Sequence, residues 1–417
     1  MRRDDVSPVQ FSRELRSWKG QAPLGTKILW YLKHIDGRYP WSESGRYDYD
    51  FGRLTRTAQA LDQAGFYGAL HGTSTNDPLV SVSALIAATQ RLRFLVPIYP
   101  GLTNPRQLAK QALTFDQYSG GRLLINVVNG QDPQLKPYGQ LVTHDDRYQL
   151  SADYWRIFTD FYEGRSAVYD GTYLDTRSVT GEHTQVGAPI SADHLAGWAY
   201  GPFQRPHVPL WGAGASPAGQ DHAGRVVEVY LAFLRGFDAV RAQVISAHAA
   251  AAKYNRSFQA VGIHGSLIVR RTDQQAKDAF YEGISAVGAQ QFAHDANERI
   301  KVVTGGHYDL ATFVAPDAKR QSWIDALRAG HLPTLDDLQI EPGVYAGLTE
   351  FIPLLDYQGQ GAAHYLVGSG QQIAERIRRY REDIPGVDRF IFSGWPLESE
   401  AINVADYLFP HIPDLEH

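Results

Sequence analysis

Short apolar runs recur along the chain, each followed by a stretch with a helical repeat. The runs cover residues 27–32 (KILWYL), 67–72 (YGALHG), 92–100 (LRFLVPIYP), 123–130 (LLINVVNG), 208–214 (VPLWGAG), 226–234 (VVEVYLAFL), 260–269 (AVGIHGSLIV) and 390–396 (FIFSGWP). They are rich in β-branched and aromatic residues and nearly continuous, the pattern of parallel strands covered on both faces. Residues 50–64 place Phe51, Leu54, Ala58 and Leu61 at spacings of three and four, which predicts an amphipathic helix. Residues 104–118, 147–162, 237–254 and 371–383 read the same way. Eight strand-then-helix units in 417 residues predict an α/β fold, a (β/α)8 TIM barrel with insertions.

On this reading a single barrel domain spans residues 27–412 and follows an N-terminal extension of residues 1–26. Two gaps are too long for simple connections. One covers residues 171–204, rich in Gly, His and polar residues; the other covers roughly 283–368. Segments of this kind are expected to be lids or pocket walls.

Composition narrows the chemistry. The chain has no cysteine, which excludes disulfides, thiolate metal sites and cysteine nucleophiles. Forty basic and 45 acidic residues give a formal net charge of −5, with no basic footprint for nucleic acid. The Arg376, Arg378, Arg379 and Arg381 run reads as a solvated helix face. No window approaches a membrane span, and the N-terminus lacks the apolar core of a signal peptide, so a soluble cytoplasmic protein is expected.

In such a barrel the site lies at the C-terminal ends of the strands. The residues there form a polar, aromatic, His-rich set that includes Lys33, His34, residues 71–77, Tyr99, Asn129, Phe233, His264, Ser266 and Trp395. The WGAGASPAG segment ends a predicted strand and opens a helix. Its small residues allow backbone N–H groups to converge on an anion, and Ser216 adds a hydroxyl; a plain turn is the alternative. Pro217 occupies the place of a third glycine, so it is not a dinucleotide fingerprint. The Gly368 and Gly370 pair also opens a helix but has Ile373 at its third position. There is no HExxH, no HxH and no GxSxG. His144 with Asp145 and Asp146 is the one tight His/carboxylate cluster; it precedes a predicted helix, where Asp is a common N-cap, and no metal is expected.

Taken in order, several segments resemble the flavin-dependent monooxygenases of the bacterial luciferase type, and within them the alkanesulfonate monooxygenase branch. They include ILWYLKHIDGRYP, AQALDQAGFYGALHGTSTND, LRFLVPIYPGLTNPRQLAKQALTFDQYSGGRLLINVVNGQDPQ, HDDRYQLSADYWRIF, VPLWGAGASP, LVGSGQQIAERI and FIFSGWPLESEAINVADYLFP. The resemblance implies a (β/α)8 barrel that binds reduced FMN from a separate NAD(P)H:flavin reductase. It also implies oxygenation of a small molecule with O2, and a homodimer or homotetramer. The cofactor then carries the difficult chemistry and the protein supplies a dry, oriented pocket.

Residue by residue, the resemblance places Asn129 near the flavin ring. His144 and Tyr148 fall at phosphate or ribityl contacts, Ala215 and Ser216 at the phosphate turn, and His34 at a pocket histidine. Thr75 stands at an active-site cysteine position of the alkanesulfonate branch, and Phe233 at a tryptophan position. His264 stands where that branch has an arginine, and Ser266 where it has a histidine. A sulfonate-ligating arginine of the long insertion aligns with Trp323, with Arg320 nearby. His34 and His264 are the expected proton-transfer residues. Fewer arginines weaken a sulfonate assignment, because sulfonates favour planar, permanently charged donors. The rivals are an F420-dependent hydride-transfer enzyme of the same superfamily and a non-catalytic flavin-binding barrel. A phosphate-binding isomerase or aldolase would have to rely on Lys33.

Overall fold

The computed structural model describes residues 25–38, 45–73, 76–130, 135–140, 142–164, 173–174, 203–315, 317–346 and 364–417. The strands are β1 (Thr26–Leu32), β2 (Gly68–His71), β3 (Arg93–Ile98), β4 (Leu123–Val127), β5 (Leu210–Ala213), β6 (Val229–Phe233) and β7 (Ala260–Arg270). After them come β8 (Gln339–Glu341), β9 (Val344–Tyr345), β10 (Tyr365–Ser369), β11 (Val387–Ser393) and β12 (Leu415–Glu416). The helices are α1 (Phe51–Ala64), α2 (Pro78–Ser83), α3 (Pro105–Ser119), α4 (His144–Tyr162), α5 (Pro217–Val226) and α6 (Phe237–Ala252). They continue with α7 (Asp273–Ser285), α8 (Ala289–Val303), α9 (Ala318–Arg328), α10 (Leu335–Leu338), α11 (Gly370–Asp383) and α12 (Leu397–Tyr407).

Strands β1 to β7 and β11 pair in parallel, and β11 pairs with both β7 and β1, so eight strands close into a barrel. These are the eight runs expected from the hydrophobic pattern. Alternation along each strand sorts the side chains. Leu29, Leu70, Leu95, Leu124, Trp211, Leu231 and Ile391 pack as one cluster inside the barrel. Ile28, Trp30, Phe94, Ile125, Tyr230, Ile263 and Phe390 pack in a second cluster with residues of the surrounding helices. Near the opposite end from the site, the Arg389 guanidinium lies 4.8 Å from the Trp211 ring centre and is neutralised by Asp388 at 2.7 Å.

Local signals explain where the helices begin. The Asp50 carboxylate accepts from the Gly52 N–H to start α1, and Gly65, at φ +84°, ends it. Asn104 does the same for α3. Helix α4 starts earlier than the hydrophobic repeat suggests, because Thr143 is its N-cap and accepts from the Asp146 N–H. The expected aspartate cap is therefore a threonine, and Asp146 instead accepts from the Thr143 hydroxyl at 2.6 Å.

The insertion after β7 is more structured than the term lid suggests. Strand β7 outlasts its neighbours: its first part pairs with β6 and β11, and Ser266 to Arg270 pair with β10. On that extension sit β9 and β8, antiparallel, and helices α7 to α9. Phe280, Phe292, Ile300, Phe313, Trp323, Ile324, Tyr345 and Tyr365 give this segment a core of its own. The hydrophobic pattern misses β8, β9 and β10 because they are two to five residues long and lie among helices. Among the described residues no helix is long and apolar enough to cross a membrane.

The expected N-terminal extension lies outside the described residues through position 24, as does most of the 171–204 insertion. The second glycine pair serves packing: a Cβ on Gly370 would stand 1.6 Å from the Tyr407 carbonyl oxygen at the end of α12. Of the arginine run, Arg376 pairs with Glu341 and Arg381 with Asp414, joining α11 to neighbouring segments, while Arg378 and Arg379 lie on an exposed face and pair within the helix.

Candidate active site

The C-terminal ends of the strands bring most of the expected residues to one end of the barrel. On β6 and β7, Phe233 and His264 are register partners, with ring centres 5.6 Å apart. On the other side of His264 stands Tyr31 of β1, nearly parallel at 22° and 6.1 Å. The imidazole is thus held between two aromatic rings, and burial pushes its pKa down to about 4. At neutral pH it is uncharged. Ser266 follows on the same face of β7, and its hydroxyl lies 3.1 Å from that of its register partner Ser393 on β11, both fully buried.

A second group forms where β4 and β5 end. The Asn129 amide nitrogen lies 3.3 Å from Nδ1 of His222, in α5. His222 Nε2 lies 2.8 Å from the Ser151 hydroxyl on α4. Tyr148, one turn earlier on the same face of α4, packs its ring 5.5 Å from the His222 ring. Burial holds the His222 pKa down to about 3, so the ring is neutral, accepting at Nδ1 and donating at Nε2. Asn129 Oδ1 is buried and has no partner among the described residues.

Beside this group the chain turns from β5 into α5. The Ser216 hydroxyl accepts from the Gly219 N–H at 3.1 Å and caps the helix. Gly214 and Gly219 meet backbone to backbone; a Cβ on Gly214 would stand 2.4 Å from Gly219 atoms. The Gly214 carbonyl accepts from the Tyr230 hydroxyl at 2.6 Å, which fixes the turn. Ala215 is half-buried within it.

His34 follows β1. Its Nε2 lies 3.2 Å from the Ser81 hydroxyl, and its ring stands 5.5 Å from that of His71. At the ends of β6 and β7, His364 precedes β10, its backbone N–H bonded to the Leu234 carbonyl at 2.8 Å, while the Leu234 N–H bonds the His264 carbonyl at 2.7 Å. Burial, with the nearby charges of Arg320 and Arg235, pushes the His364 pKa down to about 4.

One expected site residue sits in the insertion. Trp323 is 2% exposed inside the insertion's own core, and its indole N–H donates to the Asp337 carbonyl at 2.8 Å. It holds α9 against the α10 turn. Thr75 lies outside the described residues, and so does the side chain of His144. Among the described residues no group of three or more His, Asp or Glu side chains is arranged to hold a metal ion. The residues that sequence reasoning misses are His222, Ser151, Ser81 and His364. The spacing of three between Tyr148 and Ser151 is the available signal for one of them; the others sit inside helices or before a short strand.

The mouth of the barrel thus gathers aromatic rings, neutral imidazoles, a buried amide oxygen and a tight strand-to-helix turn. The Luciferase-like monooxygenase family profile matches residues 38–385, and the chain belongs to that family. Solved structures of the same fold include the long-chain alkane monooxygenase LadA, at 16% identity and TM-score 0.68 over 95% of this chain and 93% of that one. Riboflavin lyase RcaE, solved with modified FMN and riboflavin, is 19% identical at TM-score 0.65 over 93% of this chain and 91% of that one. DmoA from Hyphomicrobium sulfonivorans is 19% identical at TM-score 0.65 over 93% of this chain and 87% of that one.

Proposed function

We propose that the protein is a two-component monooxygenase: it receives reduced FMN from a separate NAD(P)H:flavin reductase and uses O2 to oxygenate a small organic substrate. Organosulfur compounds, alkanesulfonates among them, are the proposed substrate class. The observation that carries the flavin reading is the buried, unpartnered Oδ1 of Asn129. A lone buried acceptor costs on the order of 1–3 kcal/mol unless a donor meets it, and the pyrimidine half of an isoalloxazine carries a ring N–H of the right kind.

The neighbouring turn fits the other end of the cofactor. Because Ser216 Oγ accepts from Gly219, its hydroxyl hydrogen remains available to donate to a phosphate oxygen beside the N-terminus of α5. Ala215 precedes Ser216 in the turn and Tyr148 packs against His222, and His144 and Thr75 complete the proposed set. When bound, reduced FMN supplies the electrons that activate O2.

The chain's own residues would do the rest. Tyr31 and Phe233 exclude water around His264, which strengthens each polar contact there. His264 and His34, both with lowered pKa, are neutral at physiological pH and can take up a proton during turnover. The positive charges of Arg235 and Arg320, felt by His364, would favour an anionic head group beside it. Arg320 thus takes the place first expected of Trp323. A homodimer or homotetramer is proposed for the assembly.

The test is anaerobic mixing of the protein with photoreduced FMN, followed by oxygen and a panel of sulfonates and sulfides. Tight binding of reduced FMN and oxygenated product are expected. Failure to bind reduced flavin, or no oxygen-adduct absorbance before the flavin reoxidises, would sink the proposal. Binding of F420 with hydride transfer and no oxygen uptake would favour the F420-dependent reading. FMN binding without turnover of any compound would favour a carrier.

A further inference from the structure

Two imidazoles stand edge to face at the ends of β1 and β2: the rings of His34 and His71 are 5.5 Å apart at 69°. Their proton positions follow from their neighbours. His71 Nδ1 lies 2.7 Å from the Gly72 carbonyl oxygen, which can only accept, so Nδ1 carries the proton. Nε2 of this 1%-exposed residue is then a bare acceptor, buried and without a partner among the described residues.

His34 is set the opposite way. The Ser81 hydroxyl gives its one hydrogen to the Asp77 carbonyl at 2.7 Å. Toward His34 Nε2, 3.2 Å away, it can therefore only accept. The His34 proton sits on Nε2, and Nδ1 is left bare, buried and without a partner among the described residues.

We infer that His34 and His71 act as a single proton acceptor at the barrel mouth, and that Ser81 is the positioning residue that presents His34 Nδ1 for that role. The inference rests on reading this mouth as the reaction site. Two bare nitrogens in one buried place each lack a donor, and an O–H or N–H acid of a bound reactant supplies one. In the transfer the donor's O–H or N–H bond breaks, the donor keeps the electron pair, and an N–H bond forms on the imidazole to give an imidazolium. A second proton is opposed by the first, because the His34 charge bears directly on His71. The other groups facing the pair are Lys33 and Asp77 beside His71, and Tyr49 against His34. Asp36, Asp50 and Arg53 line the small cavity that His34 and Lys33 share.

The inference is tested by long-range 1H–15N NMR of the imidazoles in the full-length protein. At pH 7.5 His34 should be the Nε2–H tautomer and His71 the Nδ1–H tautomer. Ser81→Ala should turn His34 into a tautomer mixture, and Ser81→Thr should restore it. On acidification one ring should titrate while the other stays neutral to about one pH unit lower, and His34→Asn should raise the His71 midpoint. An Nδ1–H His34, an unchanged Ser81→Ala spectrum, or two rings titrating together would overturn the inference. These measurements need neither flavin nor oxygen. Spectra as expected in a protein that never oxygenates would overturn the monooxygenase reading alone. In an active enzyme, Ser81→Ala should shift the acid limb of the pH–kcat profile with flavin affinity retained.

Discussion

Asn129 and His222 hold each other in place: the amide nitrogen of one lies 3.3 Å from the bare Nδ1 of the other, and this contact turns Asn129 Oδ1 toward a place with no partner. The orientation goes with the histidine tautomer, because a bare Nδ1 accepts only from the amide nitrogen, while Ser151 meets the ring's other nitrogen at 2.8 Å. His222→Phe should therefore weaken FMN binding by about tenfold without touching the cofactor, because Asn129 loses its orientation. It should also cost about 2 kcal/mol of stability, since two polar groups lose a partner. Asn129→Leu should weaken FMN binding at least as much. Flavin fluorescence titration and urea unfolding of the two variants separate these effects; unchanged FMN affinity in both would remove Asn129 from the cofactor site.

Gly370 is placed by contact, not by cofactor chemistry. With 1.6 Å between a hypothetical Cβ and the Tyr407 carbonyl oxygen, α11 must move away from the end of α12 to admit any side chain. Gly370→Ala should destabilise by about 3 kcal/mol, read as a drop in thermal midpoint. Gly368→Ala meets only the flexible Gln372 end at 3.0 Å and should cost much less.

The barrel is legible in the sequence because its eight strands are buried on both faces and read as apolar runs; each of those runs is a barrel strand. The turn around Ser216 is legible too, since small residues between a strand and a helix have few other uses. His222 is not, because a histidine inside a helix looks the same whether it faces a site or a core. The setting of Trp323 is hidden for a related reason: its expected position comes from a resemblance, and the insertion that carries it buries its aromatics in a private core that short strands build. His34 and His264 are visible as residues, but their tautomers and charge depend on Ser81, Tyr31 and Phe233, which are remote in sequence.

Trp323→Phe separates the two roles for that residue. The ring volume is largely kept, and what is lost is the N–H bond to the Asp337 carbonyl at 2.8 Å. The expected cost is about 1 kcal/mol, visible in urea unfolding, with KM and kcat unchanged. A KM that rises tenfold while stability holds would return Trp323 to the substrate site. Arg320→Gln should show that KM effect instead, and only for anionic substrates.

Acid should weaken the fold before its carboxylates titrate. Burial holds His71, His264 and His364 down to about 4 and His222 to about 3, against 6.5 for an exposed imidazole. Between 6.5 and those values the unfolded chain takes up protons that the folded chain refuses, so stability falls with each step down in pH across that window. Above about pH 7 the contribution is complete, because all four rings are neutral in both states. The lowered carboxylates, Asp317 and Asp337 among them, lose their contribution only as the pH falls from near 4 toward their folded values. Asp36 runs the other way: burial raises its pKa, so it costs stability as pH rises through that value, but it is one group against four. A tenfold weaker hold on the proton in the folded ring corresponds to about 1.4 kcal/mol per group. The urea midpoint should therefore drop steeply from pH 6.5 to 4.5, and His264→Leu should flatten the slope. A midpoint that stays level across that range would mean these rings are solvated and charged in the folded protein, and the dry mouth proposed around His264 would be lost with it.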